Sequence, residues 1–157
     1  MTMATPRPAP LAPALLFDRL ADHDQASGYE PVPLRALDGE ALRASVLREL
    51  GDLLNTRCPF TDAQLQERGR TTLEYGVADI SPAYPGAAAS RGEVAARMQA
   101  AITAYEPRLR HPQVTVEPVD GRPLQLLARV EGVLAAGAAP VPVHFTIVVG
   151  APTGREP

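Results

Sequence analysis

The sequence predicts an α+β fold, in which helices pack on one face of a small antiparallel sheet formed by a three-stranded C-terminal meander. Two long segments repeat apolar residues at helical spacing. They precede three segments in which apolar and polar residues alternate, as in half-buried strands. With 157 residues, of which 45% are hydrophobic and 21% charged, the chain is long enough to bury the core of one domain.

The ends of the chain set the expected domain boundaries. Residues 1–14 are rich in proline, which predicts a flexible tail. We expect a single domain over residues 15–150 and a short polar tail over residues 151–157.

The first segment of the domain predicts a short amphipathic helix. Asp18 and Arg19 are expected on its solvent side, and its apolar residues are Leu15, Leu16, Phe17 and Leu20. Two interpretations remain open at this point, because such a helix could dock on the domain's own core or bind a partner. Residues 21–35 predict a loop.

The second helix is the clearest core element in the sequence. Asp38 is a suitable N-cap, and Glu40 is favourable in the first turn. The helix is expected to end near Asn55, before Cys58 and Pro59. Its apolar stripe consists of Leu42, Val46, Leu50, Leu53 and Leu54.

Residues 58–90 give the weakest structural signals. Thr71 to Tyr75 predict a short strand, and the surrounding glycines and prolines predict loops. A long loop in a compact domain is usually functional or flexible.

A third helix is predicted from Ser90 to Tyr105. Ser90 and Glu93 form a capping-box pattern, and the apolar stripe consists of Val94, Met98, Ala101, Ile102 and Tyr105. Pro107 ends the helix, because the residue before a proline avoids helical backbone angles.

This proline leaves Glu106 and Arg108 at a fixed corner between the helix and the first strand. Three interpretations remain open. The two charges could pair with each other, Arg108 could cap the end of the helix, or either residue could meet a partner's charges in an interface.

The C-terminal part predicts three strands in sequence. The first runs from Val114 to about Val119, and Asp120–Gly121 is a strong hairpin signal. The second alternates over residues 124–134 and the third over residues 143–149.

Composition excludes several classes of function. The formal charge of −3 gives no basic footprint, so nucleic acid is not an expected partner. No run approaches the roughly 18 apolar residues of a membrane span, and we expect no membrane insertion. The single cysteine, Cys58, allows no internal disulfide and fits a reducing compartment, so the sequence predicts a cytoplasmic protein.

The sequence predicts no cofactor, no metal and no catalytic residue. His23, His111 and His144 have no ligand partner at metal-binding spacing, and no phosphate-binding, dinucleotide-binding or nucleophile motif is present. Glycoside hydrolysis needs only two carboxylates, for which Glu74, Asp79 and Glu106 are the candidates. Nothing in the sequence fixes the distances between them, so binding is favoured over catalysis.

Four blocks of residues resemble TssE, the small baseplate subunit of bacterial type VI secretion systems, itself related to a wedge protein of contractile phage baseplates. The first two are Leu16 to Leu20 and Leu42 to Leu50. The third is Leu53 to Arg57, and the fourth is the Tyr-Gly-x-x-Asp loop at residues 75–79. Tyr105-Glu106-Pro107-Arg108-Leu109 is similar to that family's Glu-Pro-Arg motif.

The resemblance implies a structural subunit that binds TssF- and TssG-like proteins and helps to start sheath polymerisation. Sheath subunits are then partners, and a TssK-like protein is a further candidate partner. Partner binding is implied for Glu106, Pro107 and Arg108, with Leu16, Phe17, Tyr75 and Asp79 as further candidate contacts. The implied location is the inner face of the cell envelope.

The resemblance also implies that a sheet edge could accept a sheath strand. Three alternatives stay open: a peptidoglycan-cleaving lysozyme-like enzyme, a baseplate protein of another phage-like contractile particle, and a small regulator with the same fold.

Overall fold

The computed structural model describes residues 12–20, 36–37, 39–78, 88–135 and 140–150. The helices are α1 (Leu16–Leu20), α2 (Gly39–Asn55), α3 (Asp62–Arg68) and α4 (Ala88–Tyr105), with a 3-10 turn at Thr72–Glu74. The strands are β1 (Ala12–Pro13), β2 (Ala36–Leu37), β3 (Arg57–Cys58), β4 (Val77–Ala78), β5 (Leu109–Val119), β6 (Arg122–Leu134) and β7 (Val141–Val149).

The main sheet is the predicted antiparallel meander, with the strand order β5-β6-β7. Asp120 and Gly121 connect β5 to β6, and Gly121 has the positive φ (71°) that a tight hairpin turn favours. Strand β5 begins at Leu109, earlier than predicted. The pairing register shifts between Arg110 and Gln113, where His111 has a φ of 52°. This bulge interrupts the alternation of side chains and hides the start of the strand in the sequence.

The core lies between the sheet and the two long helices, as the α+β prediction requires. All five residues of the predicted α2 stripe are buried, and so are the first four of the α4 stripe. The sheet contributes alternate residues of each strand, among them Val116, Val130 and Phe145. Burying one such large aliphatic or aromatic side chain stabilises the fold by about 1.5–3 kcal/mol, so this face dominates folding.

Helix α1 is turned the opposite way from the prediction. Asp18 is buried, whereas the side chains of Leu16 and Leu20 are 62% and 69% exposed. The predicted solvent side is therefore wrong for Asp18. The cause is a set of long-range partners for its carboxylate, described below, which periodicity within five residues cannot reveal.

The N-terminal end of the described chain is held by a short ladder. Ala12 and Pro13 pair antiparallel with Leu37 and Ala36, and Ala12 is buried. Of the predicted tail and loop, residues 1–11 and 21–35 lie outside the described residues. The predicted N-cap Asp38 and the tail at residues 151–157 also lie outside them.

Helix α4 does not begin at Ser90. Its described part starts at Ala88, so Ser90 lies inside the first turn and the predicted capping box is wrong. Ala88 and Ala89 are good helix formers, and they extend the helix beyond the position that the pattern marks.

The region between α2 and α4 holds elements that the sequence interpretation missed or assigned wrongly. Thr72–Glu74 is a 3-10 turn rather than part of a strand, because Thr71 and Glu74 form a capping box there. Helix α3 was missed, although Thr61 and Gln64 form the same kind of box at its start.

The parallel pair β3–β4 depends on Gly76. This glycine has a φ of 110°, and a Cβ there would lie 2.6 Å from the carbonyl oxygen of Thr56. Only glycine fits such a close approach without a backbone shift. Cys58, in β3, is buried, as expected for an inert thiol.

Candidate functional site: the corner between α4 and β5

The corner that carries Glu106, Pro107 and Arg108 is fixed by backbone hydrogen bonds. The amide of Glu106 donates to the carbonyl of Ile102 (2.9 Å), which completes the last turn of α4. The amide of Leu109 donates to the carbonyl of Glu106 (3.1 Å), and the amide of Ala135 donates to the carbonyl of Arg108 (2.8 Å). The corner is thus tied to the helix before it and to the end of β6.

Glu106 and Arg108 bind each other inside the protein. The Nε and Nη2 atoms of Arg108 donate to the two carboxylate oxygens of Glu106 at 2.8 and 2.6 Å. The Arg108 amide donates to Glu106 Oε1 as well (3.2 Å). Both side chains are buried, with exposed fractions of 8% for Arg108 and 3% for Glu106. A bidentate guanidinium–carboxylate pair is among the strongest hydrogen-bonded contacts in proteins.

Arg108 also reaches α2 and, through it, α1. Its Nη1 donates to the hydroxyl oxygen of Ser45 (2.9 Å), and that hydroxyl donates to Oδ2 of Asp18 (2.6 Å). Arg108 Nη1 lies 3.9 Å from the same Asp18 oxygen, and Arg48 pairs with the other one. We call these five residues, Asp18, Ser45, Arg48, Glu106 and Arg108, the charge cluster.

The charge cluster is balanced and fully hydrogen-bonded. It combines two carboxylates with two guanidinium groups, and Arg48 forms its exposed rim with a side chain that is 54% accessible. In the described part of the chain, every buried side-chain nitrogen or oxygen has a hydrogen-bond partner. Glu49 lies close to the cluster. Burial raises the pKa of its carboxyl group, and the charge of Arg108 opposes that rise.

The sequence left open whether Glu106 and Arg108 pair with each other, and the structure shows that they do. Their charged groups do not face solvent. Pro107 stands between them and is exposed. A partner that touches this corner in the present conformation therefore meets Pro107, while the pair beneath it fixes the shape of the turn.

A third buried carboxylate lies at the turn between α3 and β4. Glu74 is 3% exposed, and its Oε2 accepts hydrogen bonds from the amide (2.9 Å) and hydroxyl (2.5 Å) of Thr71. These two bonds lower the pKa of Glu74, and Arg68 at 3.8 Å lowers it further.

Aromatic side chains connect this turn to the end of α4. The hydroxyl of Tyr105 donates to the carbonyl of Thr71 (2.7 Å), and its ring meets that of Tyr75 edge-on with the centroids 5.2 Å apart. The guanidinium of Arg70 lies 5.9 Å from the Tyr105 ring centroid. Burial raises the pKa of Tyr75 to about 12 and also raises that of Tyr105.

Two of the four remaining candidate contacts, Leu16 and Tyr75, have described side chains. Leu16 is exposed on α1, and Tyr75 is half-buried beside Tyr105. Phe17 belongs to α1, but its side chain lies outside the described residues, as does the whole of Asp79. Sequence reasoning missed Ser45 and the internal role of Asp18. A serine on the core side of α2, within the run of Leu42 and Val46, was the signal that could have identified a buried polar contact.

Of the three candidate catalytic carboxylates, Asp79 lies outside the described residues, and neither Glu74 nor Glu106 has the environment of a general acid. The pKa of Glu74 is lowered rather than raised, and Glu106 is held in a bidentate ion pair. Within the described ranges, no group of three or more histidine, cysteine or acidic side chains could hold a metal ion. No helix in the part of the chain that the structure describes is long and apolar enough to cross a membrane.

The fold and the charge cluster define a class: a small α+β domain whose helix-to-strand corner is built around a buried ion pair between Glu106 and Arg108. Residues 40–139 match the family model described as "Baseplate wedge protein gp25". The chain therefore belongs to the gp25 baseplate wedge protein family, which confirms the family to which the resemblance pointed.

A solved structure of a secretion baseplate contains a chain that is similar to this one. The structure is "The baseplate complex from the type VI secretion system", and its chain has 18% sequence identity and a TM-score of 0.49. The similarity covers 70% of this chain and 95% of that one. No curated protein sequence matches.

Proposed function

We propose that this chain is a non-catalytic structural subunit of the type VI secretion baseplate wedge. It binds TssF- and TssG-like proteins and helps to start assembly of the contractile sheath. The observation that carries the proposal is the family match over residues 40–139, which spans α2, α4, the corner and most of the meander.

We further propose that the corner is the wedge-binding feature and that its three residues have different roles. Pro107 supplies exposed contact surface, and the pair beneath it keeps the backbone in one shape. A preformed corner costs little conformational entropy on binding, because its backbone is already ordered. Leu16, Phe17, Tyr75 and Asp79 remain proposed secondary contacts.

The sheet edges support the sheath part of the proposal. Strand β6 is central, so β5 and β7 are the two edges. Pro112 and Pro118 lie in β5 and offer no N–H to an added strand. Strand β7 has no proline after Pro142, so we propose β7 as the docking edge.

Side chains of α2 already contact that edge. Arg43 donates to the carbonyl of His144 (3.2 Å), and Asn55 donates to the carbonyl of Val148 (3.2 Å). Gly150 donates its N–H to Asn55 Oδ1 (3.1 Å). An incoming strand would replace these side-chain bonds with backbone bonds.

The test is co-purification with the TssF- and TssG-like proteins of the same organism, comparing wild type with Pro107→Glu. The matched control is Pro118→Glu, which changes another exposed proline at the far end of β5. We expect wild type and the control to associate and Pro107→Glu to be lost from the complex. Thermal unfolding of each variant verifies that the domain stays folded.

The wild type and the Pro107→Glu variant test different parts of the proposal. If the wild type does not associate, the wedge function is wrong. If Pro107→Glu associates like the wild type, the corner is not the contact. The same reconstitution with sheath subunits, with and without this chain, measures whether it accelerates sheath formation.

One other function keeps specific support. The matched family is described as a baseplate wedge protein without reference to a secretion system. A baseplate subunit of a phage-like contractile particle would therefore use the same corner, and it would associate with that particle's wedge proteins instead.

A further inference from the structure

The carboxylate of Asp18 occupies a site built by distant parts of the chain. Ser45 and Arg48 approach from α2, 27 and 30 positions away in sequence, and Arg108 approaches from the corner. The side chain of Asp18 is 5% exposed, so this site encloses its carboxylate almost completely.

The charge cluster without Asp18 would be a receptor for a carboxylate. Glu106 neutralises Arg108, so removing Asp18 leaves one net positive charge, carried by Arg48, beside the hydroxyl of Ser45. A buried hydroxyl without its acceptor and a partly buried cation without its counter-charge are unfavourable, and an incoming carboxylate would satisfy both.

The N-terminal segment, residues 12–20, has limited described attachment to the domain. Its ladder with β2 is two residues long. Of its described apolar side chains, Ala12 is buried and Ala14 packs partly against the core, while the side chain of Phe17 lies outside the described residues. Leu16 and Leu20 face solvent. A buried ion pair adds little net stability, because desolvation offsets the attraction.

Replacing the Asp18 carboxylate by another carboxylate changes the balance between desolvation and electrostatic attraction very little. Ser45 and Arg108 are buried, so the incoming group meets donors that are already oriented. Arg48 is half exposed at the rim and gives the incoming group a route from solvent.

We propose that Ser45, Arg48 and Arg108 form a carboxylate-binding site that Asp18 occupies in the free protein. An acidic segment of a partner protein takes the site over while the N-terminal segment moves away. The partner segment carries an Asp or Glu flanked by apolar residues, as the N-terminal segment itself does. This proposal rests on the geometry of the charge cluster and is independent of which baseplate proteins bind.

The first measurement is hydrogen exchange of the wild-type chain. The amide of Arg19 donates to the carbonyl of Leu15 (3.1 Å), and we expect it to exchange much faster than the core amides of α2. Exchange of Arg19 at the rate of the α2 core would show that the segment opens only when the whole domain unfolds, and it would overturn the proposal.

The second measurement uses a labelled synthetic peptide of residues 12–20, added to full-length protein. The full-length Asp18→Asn variant should bind this peptide at least about tenfold more tightly than the wild type does, because apparent affinity scales with the fraction of open molecules. The same peptide with Asp18→Asn should not bind. The control variant Arg19→Gln, which changes an exposed neighbour, should behave like the wild type.

A folded Asp18→Asn variant that does not bind the peptide would contradict the proposal. If the variant does not fold, hydrogen exchange of the wild type decides alone. Neither measurement needs wedge proteins, so failure here is separate from failure of the proposed function.

Discussion

Among the three buried carboxylates of the described chain, those of Glu74 and Glu106 are stabilised in different ways. Glu74 is held by Thr71, three positions before it in a capping box, so its main partner is local and neutral. Glu106 is held by the guanidinium of Arg108, which in turn depends on Ser45 and Asp18 from other elements. The first arrangement needs one turn of backbone, whereas the second needs the assembled domain.

This difference predicts different sensitivities. A neutral local cap loses one or two hydrogen bonds when a partner is removed. A buried charge network loses its electrostatic balance, because the remaining charge is left in a poorly hydrated environment. The three variants below test the contrast.

The largest expected effect is that of Arg108→Ala. This change leaves the carboxylates of Glu106 and Asp18 buried without their shared guanidinium. We expect the free energy of unfolding to fall by about 3–5 kcal/mol, measured by urea denaturation. Arg110→Ala is the control, since Arg110 is an exposed arginine two positions further on, in β5, and it should change stability by less than about 0.5 kcal/mol. A loss below about 1 kcal/mol for Arg108→Ala would mean that the cluster is not a stabilising unit.

Thr71→Ala should have an intermediate effect. It removes the hydroxyl that donates to Glu74 and accepts from the amide of Leu73 (3.2 Å), while the amide of residue 71 still donates to the carboxylate. The expected loss is about 1 kcal/mol in the free energy of unfolding, as for other caps. Thr71→Ser should restore most of it, and Thr72→Ala at the exposed neighbour should cost little. Equal losses for Thr71→Ala and Thr72→Ala would contradict the cap.

The smallest change in stability is expected for Glu74→Gln, and the size of this change depends on pH. Glutamine can keep the geometry of the box, as Gln64 does at the start of α3. The pKa of Glu74 is lowered from its ordinary value of 4.5, so the folded state favours the carboxylate. The stabilising contribution is therefore present above pH 4.5 and is lost as the pH falls through the folded-state pKa.

The measurement is the melting temperature of wild type and Glu74→Gln between pH 7 and pH 3. The wild type should be the more stable protein at pH 7, and the difference should shrink in acid. A difference that grows as the pH falls would reverse the sign of the pKa shift and refute the assignment.

Local patterns in the sequence predicted much of the fold. The stripe of α2 and the alternation of β6 and β7 each repeat within a few residues, and most positions that they mark as apolar are buried. Leu124, at the start of the predicted alternation in β6, is an exception, because its side chain is 87% exposed. Asp120–Gly121 fixed the hairpin for the same reason, since a tight turn depends on the residues within it. The bulge at His111 shows where such local patterns fail. It shifts the alternation of side chains by one residue, so the start of β5 could not be recognised in the sequence.

The candidate site was only half predictable. Pro107 marks the corner, and pairing of Glu106 with Arg108 was one of the interpretations that the spacing allowed. The burial of that pair could not be read from the sequence, and neither could its third and fourth partners. Ser45 and Arg108 are 63 positions apart, and nothing local relates them.

The sequence by itself determined where α2 and α4 run, that a three-stranded meander follows, and that a rigid corner separates α4 from the sheet. These features follow from periodicity and from proline and glycine backbone angles, which act over a few residues. Only the tertiary structure decided that Asp18 faces inward and that Glu106 and Arg108 are enclosed with it. An ion pair is buried only when separate elements meet around it and remove the water, and that depends on how the whole chain packs.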